Sequence, residues 1–290
     1  MFKSVWAPFR DALPPRAHVV IDQLRVHHRL PNLDHPTTFS EKIAHRMLYD
    51  HDPRIPTLVD KIAAKQQMAA RFGEDFIIPT LATFATAAEV DFAQLPYPCV
   101  LKPSHASGFN VFLNARPLNE ARLRRHLAAL LRHRHEREAE EWAYAQLTPR
   151  LLVEPLIPGG AHGLIDYKFH TFAGKVFAIQ VDVDRFTRHA RCFFDPAWNL
   201  MPFELFYPAA KFSIPRPASL PALIHYAEQI GSGFSYVRVD LYEIEGQPRF
   251  GEATFYPGAG LEPFNPRAYD ALFGAQWPAP SSPSPQPPAI

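Results

Sequence analysis

The chain has 290 residues, 47% of them hydrophobic, enough for one large domain or for two to three interlocked lobes. Thirty Lys and Arg against 29 Asp and Glu leave a net charge of +1, which gives no global attraction to nucleic acid or to an anionic membrane. Cys99 and Cys192 cannot frame a disulfide scaffold, no apolar run reaches the roughly 18 residues of a membrane span, and the first residues lack the apolar centre of a secretory signal; a reduced, cytoplasmic protein is expected.

Residues 1–59 read as mixed and mostly helical. One helix opens within Pro36–Ile43, with Thr38 or Ser40 as its cap, and runs to Leu48 before Asp52-Pro53 breaks it. A second starts at Asp60, carries Ile62, Met68, Ala69 and Phe72 inward, and stops at Gly73. Lys61 stands in its first turn, against the positive end of the helix dipole. That placement suits an anionic partner, although a solvated lysine accounts for it equally.

Phe76–Pro79 and Leu81–Phe84 are short strands. A further apolar strand delivers Lys102 to a loop of small residues, Ser104, Ala106, Ser107 and Gly108. Such a loop leaves backbone N–H groups free to cradle phosphate oxygens, with the lysine as point charge; an ordinary hairpin turn fits the same residues. Asn119–Leu147 reads as one long amphipathic helix, and its Arg132–Arg137 run as that helix's solvated face. Leu151–Ile157 is an apolar strand in which Glu154 is costly unless paired.

Asp166, Lys168 and His170 alternate onto one face of the next strand, which turns at Ala173-Gly174 and returns over Val176–Val181. Arg185, Arg188 and Arg191 follow in a basic loop that would clamp a carboxylate or phosphate of a second substrate, unless it is plain surface charge. Ser219–Ile230 is a helix, Pro266–Phe273 a last short one, and Ser281–Ile290 a Pro- and Ser-rich tail unable to build a core.

The chemistry concentrates in Val237–Gly260. Val237, Val239 and Leu241 alternate with Arg238, Asp240 and Tyr242, and Phe250–Phe255 returns beyond a turn read as Glu245-Gly246-Gln247. A three-residue loop places Asp240 opposite Glu252 and Arg238 opposite Thr254. Opposed carboxylates repel unless a proton or cation lies between them, and two hard-oxygen groups suit Mg²⁺ shared with a phosphate ligand. A solvent-exposed strand face is the plain alternative.

Lys61, Lys102, Glu154, Arg238, Asp240 and Glu252 stand in the chain order of ATP-grasp enzymes, and the closer resemblance is to the TupA-like ATP-grasp branch, associated with teichuronopeptide and other cell-surface polysaccharide or capsule synthesis. It is carried by PTTFSEKI at 36–43, DK at 60–61, LKPSHASG at 101–108, DYKFHTFAGK at 166–175 and RVDLYEIEGQPRFGEATFYPGAG at 238–260. Ala106 departs where the branch tends to have glycine, and Thr254 where the superfamily usually has asparagine. The resemblance implies an α+β ATP-grasp fold: two lobes of largely antiparallel sheet, with helices, closing on ATP behind an N-terminal helical region. On that basis residues 1–95 form the N-terminal region, 96–160 the lid lobe, 161–275 the large lobe and 276–290 the tail.

By the same resemblance, Lys61 and Lys102 hold the α- and β-phosphates, and Ser107 and Gly108 cover the β/γ end. Glu154 and Leu156 face the adenine, with Asp166 near the ribose and Lys168 beside it. Asp240, Glu252 and Thr254 hold one or two Mg²⁺ ions, and Arg238 joins Lys102 as a catalytic group. The implied reaction joins a carboxylate to an amine through an acyl phosphate, on a glycan precursor. A glycosyltransferase is the alternative, for which Asp182-Val-Asp184 has the DxD spacing.

Overall fold

The computed structural model describes residues 13–106, 108–134, 140–159, 163–184 and 188–278. Helices lead the chain: α1 (Pro15–His27), α2 (Phe39–Tyr49), α3 (Ile55–Val59) and α4 (Lys61–Phe72). Thr38 starts α2 through a capping box, its hydroxyl accepting from Glu41 N–H while the Glu41 carboxylate accepts from Thr38 N–H. Asp60 caps α4 by accepting from the N–H groups of Ile62 and Ala63, at 2.9 and 2.8 Å, which fixes Lys61 as the first helical residue.

The smaller of two main sheets contains β1 (Ala82–Phe84), β2 (Cys99–Pro103), β3 (Val111–Leu113) and β4 (Leu151–Pro155), in the order β1-β4-β2-β3. Its first strand therefore precedes residue 96, where the sequence reading begins this lobe. Helix α5 (Glu120–Leu131) covers it, with Leu127 and Leu130 packed among Phe92, Cys99, Leu101, Leu151 and Val153. The single helix expected over Asn119–Leu147 does not form. Its leucine stripe ends at Leu131, Glu140 has a φ of +58°, and Trp142–Gln146 is a separate 3₁₀ turn.

The larger sheet draws on β5 (Asp166–Phe172), β6 (Lys175–Val183), β7 (Ala190–Phe194) and β8 (Leu200–Met201); β9 (Glu204–Leu205) pairs elsewhere. After helix α6 (Leu220–Gly231) come β10 (Tyr236–Ile244) and β11 (Gln247–Thr254), giving the order β11-β10-β5-β6-β7-β8. The chain closes through β12 (Phe264–Asn265), the partner of β9, and helix α7 (Ala268–Gln276). Every pairing between these strands is antiparallel, and the architecture is α+β.

Both faces of the large sheet are covered. On one, α6 approaches so closely that a Cβ at Gly231 would lie 2.4 Å from the Thr171 hydroxyl. On the other, α2 and α7 enclose an aromatic cluster in which the Phe39 ring meets Tyr236 at 5.1 Å and Phe273 at 5.6 Å. Arg46 is buried there, donating to the Tyr236 carbonyl at 2.7 Å and lying 4.4 Å over the Trp277 ring. Tyr236, Arg238 and Asp240 share this second face by strand alternation. It changes from aromatic to ionic along β10.

The β10–β11 hairpin reaches the expected register by a different route. Its turn has two residues, Glu245 and Gly246, both at positive φ (53° and 73°), so Ile244 pairs with Gln247 and Leu241 with Phe250. A β-bulge at Gly251 then adds one unpaired residue, and Asp240 faces Glu252 while Arg238 faces Thr254. Glycine is required at the bulge, because a Cβ would sit 2.9 Å from the Asp240 carbonyl oxygen and 2.9 Å from the Tyr242 ring.

Candidate active site

Alternation along β5 and β10 puts Asp166, Lys168, Arg238 and Asp240 on one buried face. Asp240 is the hub. Arg238 donates to its two oxygens through Nε and Nη2, both at 2.8 Å, and Lys168 donates to Oδ2 at 2.6 Å. Lys168 also reaches Asp166 at 2.5 Å. Burial alone would push the Asp240 carboxyl up, but Arg238 and Lys168 outweigh it and hold it below the usual carboxylate range. Lys168 is raised in turn: burial opposes its charge, and Asp166 and Asp240 overcome that. Thr254 accepts from Arg238 Nη2 at 3.2 Å.

The second cluster lies on the small sheet. Lys65 and Lys102 both donate to Glu154, Lys65 to Oε1 and Lys102 to Oε2 at 2.5 Å. Burial pushes the Glu154 carboxyl up, but the two ammonium groups prevail and keep it low. Its side chain is thus committed to two lysines. The Leu156 N–H is likewise committed, to the Pro98 carbonyl at 3.1 Å.

Lys61 joins the clusters. Its backbone N–H donates to Ser104 O at 3.2 Å and its Nζ to Ala106 O at 2.6 Å, tying the start of α4 to the loop after β2. The same Nζ lies 3.9 Å from Glu252 on β11. Burial draws the ammonium below its ordinary value, partly countered by Glu252. Gly108, at φ +81° with nothing within 4 Å of a built Cβ, ends this loop on an open side. Ser107 lies outside the described residues.

The basic loop departs from expectation. Arg191 is buried, donating to Asp182 at 2.7 Å and pairing with Glu262 at 3.0 Å, so its guanidinium is not free to clamp a substrate. Asp182, whose other oxygen accepts from Gln180 at 3.0 Å, presents no open DxD carboxylate. Arg188 is exposed, and Arg185 lies outside the described residues. Lys65 is the residue that sequence reasoning missed.

Asp240 and Glu252 have the chemistry for a divalent ion. A carboxylate offers about four lone-pair directions, of which the three bonds to Asp240 leave one, and the Glu252 side chain is 33% exposed. Among the described residues no group of three or more His, Cys, Asp or Glu could hold a metal alone. An ion here needs ligand oxygens as well, which is how Mg²⁺ sits with one or two carboxylates and phosphates.

No curated protein matches the chain. Among solved structures, D-alanine–D-alanine ligase from Bacillus anthracis is similar at 19% identity and a TM-score of 0.39, over 69% of this chain and 57% of that one. L-amino acid ligase from Bacillus licheniformis is similar at 14% identity and 0.40, over 76% and 43%. D-cycloserine synthetase DcsG is similar at 16% identity and 0.39, over 77% and 72%. This chain thus spans little more than half the length of the first of these. A family model described as TupA-like ATPgrasp matches residues 41–277, which include both main sheets and all the lysines and carboxylates described above: the chain belongs to the TupA-like ATP-grasp family and has its α+β fold.

Proposed function

We propose that the protein is an ATP-dependent carboxylate–amine ligase, joining an amino acid or amine to a carboxylate on a cell-surface glycan precursor. The observation that carries this reading is the position of Lys61, 3.9 Å from Glu252 while bonded to the loop after β2, so that it links the lysine cluster to the carboxylate pair. A polyphosphate with its divalent ion is the ligand that satisfies both.

In this reading Lys61 and Lys102 bind the phosphates, and Ser107 and Gly108 close over the β/γ end. Glu154 and Leu156 border the adenine, and Asp166 and Lys168 the ribose side. Asp240 and Glu252, with Thr254 beside them, would hold Mg²⁺ together with the phosphate ligand, and the ion would offset the negative charge that builds during transfer. A substrate carboxylate oxygen attacks the γ-phosphorus and ADP leaves. The amine nitrogen then attacks the acyl carbon, loses a proton, and phosphate departs. Arg238 uses Nε and Nη2 on Asp240 and Thr254, which leaves Nη1 as the donor that would stabilise the oxyanion of that second step. Arg188 would meet the acid substrate at the rim.

The test is melting temperature with Mg²⁺ plus ATP, ADP or a nucleotide sugar, on wild type and Glu252→Gln, followed by ADP release with pairs of acids and amines. Ligand at 100 times Kd adds about 2.7 kcal/mol. A Mg²⁺-ATP shift that Glu252→Gln reduces, with amine-dependent ADP release, is expected. A shift from a nucleotide sugar and none from ATP overturns the ligase and leaves the transferase. ADP release without an amine acceptor would mark a kinase.

A further inference from the structure

Lys65 and Lys102 share the Glu154 carboxylate, with Lys61 beside them on the same helix as Lys65, and the three are not equivalent. The Lys65 side chain is 4% exposed, against 15% for Lys61 and 22% for Lys102. Lys65 Nζ lies 2.8 Å from the Ile78 carbonyl and 3.5 Å from Thr80 Oγ1, besides its bond to Glu154 Oε1. An ammonium has three donors, so Lys65 has none left for a ligand. Lys102 has one bond of this kind, to Glu154 Oε2, and is the more exposed. A departing Lys102 leaves Glu154 still paired, whereas without Lys65 a departing Lys102 would strand a buried carboxylate, which is costly.

We infer that Lys65 is a positioning residue that keeps Glu154 neutralised, so that Lys102 can exchange Glu154 for a phosphate oxygen of a bound polyphosphate. This inference rests on the nucleotide reading above for its ligand, while the coupling of Lys65 to Lys102 stands on the shared carboxylate alone. Like charge supports the coupling: burial first, and then Lys102 and Lys61, draw the Lys65 ammonium below its ordinary value, with Glu154 opposing. Lys65 from α4 and Lys102 from β2 face Glu154, while Lys61 donates to the Ala106 carbonyl and lies 3.9 Å from Glu252 on β11.

The experiment compares wild type, Lys65→Met and Lys65→Arg at temperatures where each is folded by circular dichroism. The affinities of Mg²⁺-ATP and of adenosine are read by calorimetry, and the reactivity of Lys102 toward an amine-acylating reagent by mass spectrometry. Loss of a charge-assisted bond predicts about ten- to a hundredfold weaker ATP binding in Lys65→Met, with adenosine changed less than about threefold. Lys102 acylation should slow, since that lysine is now the sole counter-ion of Glu154, and Lys65→Arg should restore both. Equal loss of ATP and adenosine, or unchanged Lys102 reactivity, overturns the inference. Wild type that binds no ATP while Lys102 still slows in Lys65→Met would overturn the nucleotide reading and leave the coupling in place.

Discussion

At the scale of single residues, Asp240 and Glu252 face each other, but their surroundings differ. Asp240 is 1% exposed and is the shared anion of Arg238 and Lys168. Asp240→Asn would leave two buried cations short of a counter-charge and should cost about 3–5 kcal/mol, read as a lower urea midpoint without nucleotide. Glu252→Gln touches a partly exposed group whose cation is 3.9 Å away, and should change stability by less than about 1 kcal/mol while weakening the Mg²⁺-ATP response. Equal destabilisation by both would contradict this division. Lys65 shows where the sequence stops being legible at this scale. A glutamate within the apolar run Leu151–Ile157 demands a cation, but nothing local says which. The partner lies 89 positions away on a helix where a lysine looks solvated.

At the scale of elements, alternation and caps were legible and termini less so. Thr38 and Asp60 start their helices because each offers a side-chain oxygen to orphan N–H groups, a property of local sequence. The single helix expected through Leu147 stops at Leu131, where the leucine stripe ends, and Trp142–Gln146 is a separate 3₁₀ turn. In the hairpin, the turn is one residue shorter than expected and the bulge adds one residue; the two differences cancel in the register of Asp240 and Glu252. Two glycines separate these effects. Gly246→Ala, at φ +73°, should cost about 1 kcal/mol of stability and leave the Mg²⁺-ATP shift intact. Gly251→Ala forces a Cβ to 2.9 Å from the Asp240 carbonyl and should cost about 1–3 kcal/mol, with loss of that shift as the pair moves apart. Calorimetric melting with and without nucleotide distinguishes them.

At the scale of the whole molecule, the ionic face of the large sheet makes the protein acid-sensitive. His170 donates or accepts at both ring nitrogens, with Gln180 at 3.2 Å and the Tyr236 hydroxyl at 3.0 Å, and is enclosed beside Arg238. Burial, and then the Arg238 charge, push its pKa down to about 3. The unfolded imidazole protonates near about 6.5, so between that value and about 3 the unfolded chain binds the extra proton. Stability is fully present above pH 6.5 and falls with acid by up to about 1.4 kcal/mol per pH unit for this residue. Asp240, held below the usual carboxylate range, adds a loss of the same sign at lower pH. Urea unfolding at pH 7, 5.5 and 4.5 should show the slope, and His170→Gln should reduce it over pH 4.5–6.5; an unchanged slope would assign the acid sensitivity elsewhere. None of this was legible from the chain, because strand alternation gives His170 a face and not the aromatic ring cluster from α2 and α7 that closes over it.

The bulge also constrains how the gene can change length. Phe250 and Ala253 both point into the core although an odd step separates them, and the unpaired Gly251 is what makes that possible. Paired continuously from the turn without that bulge, the same strand would set Gly251 opposite Asp240 and turn Glu252 to the opposite side of the sheet. Deleting Gly251 alone leaves Glu252 opposite Asp240 on a regular ladder, whereas a residue added between the turn and Phe250 carries Glu252 past Asp240 without altering either acid.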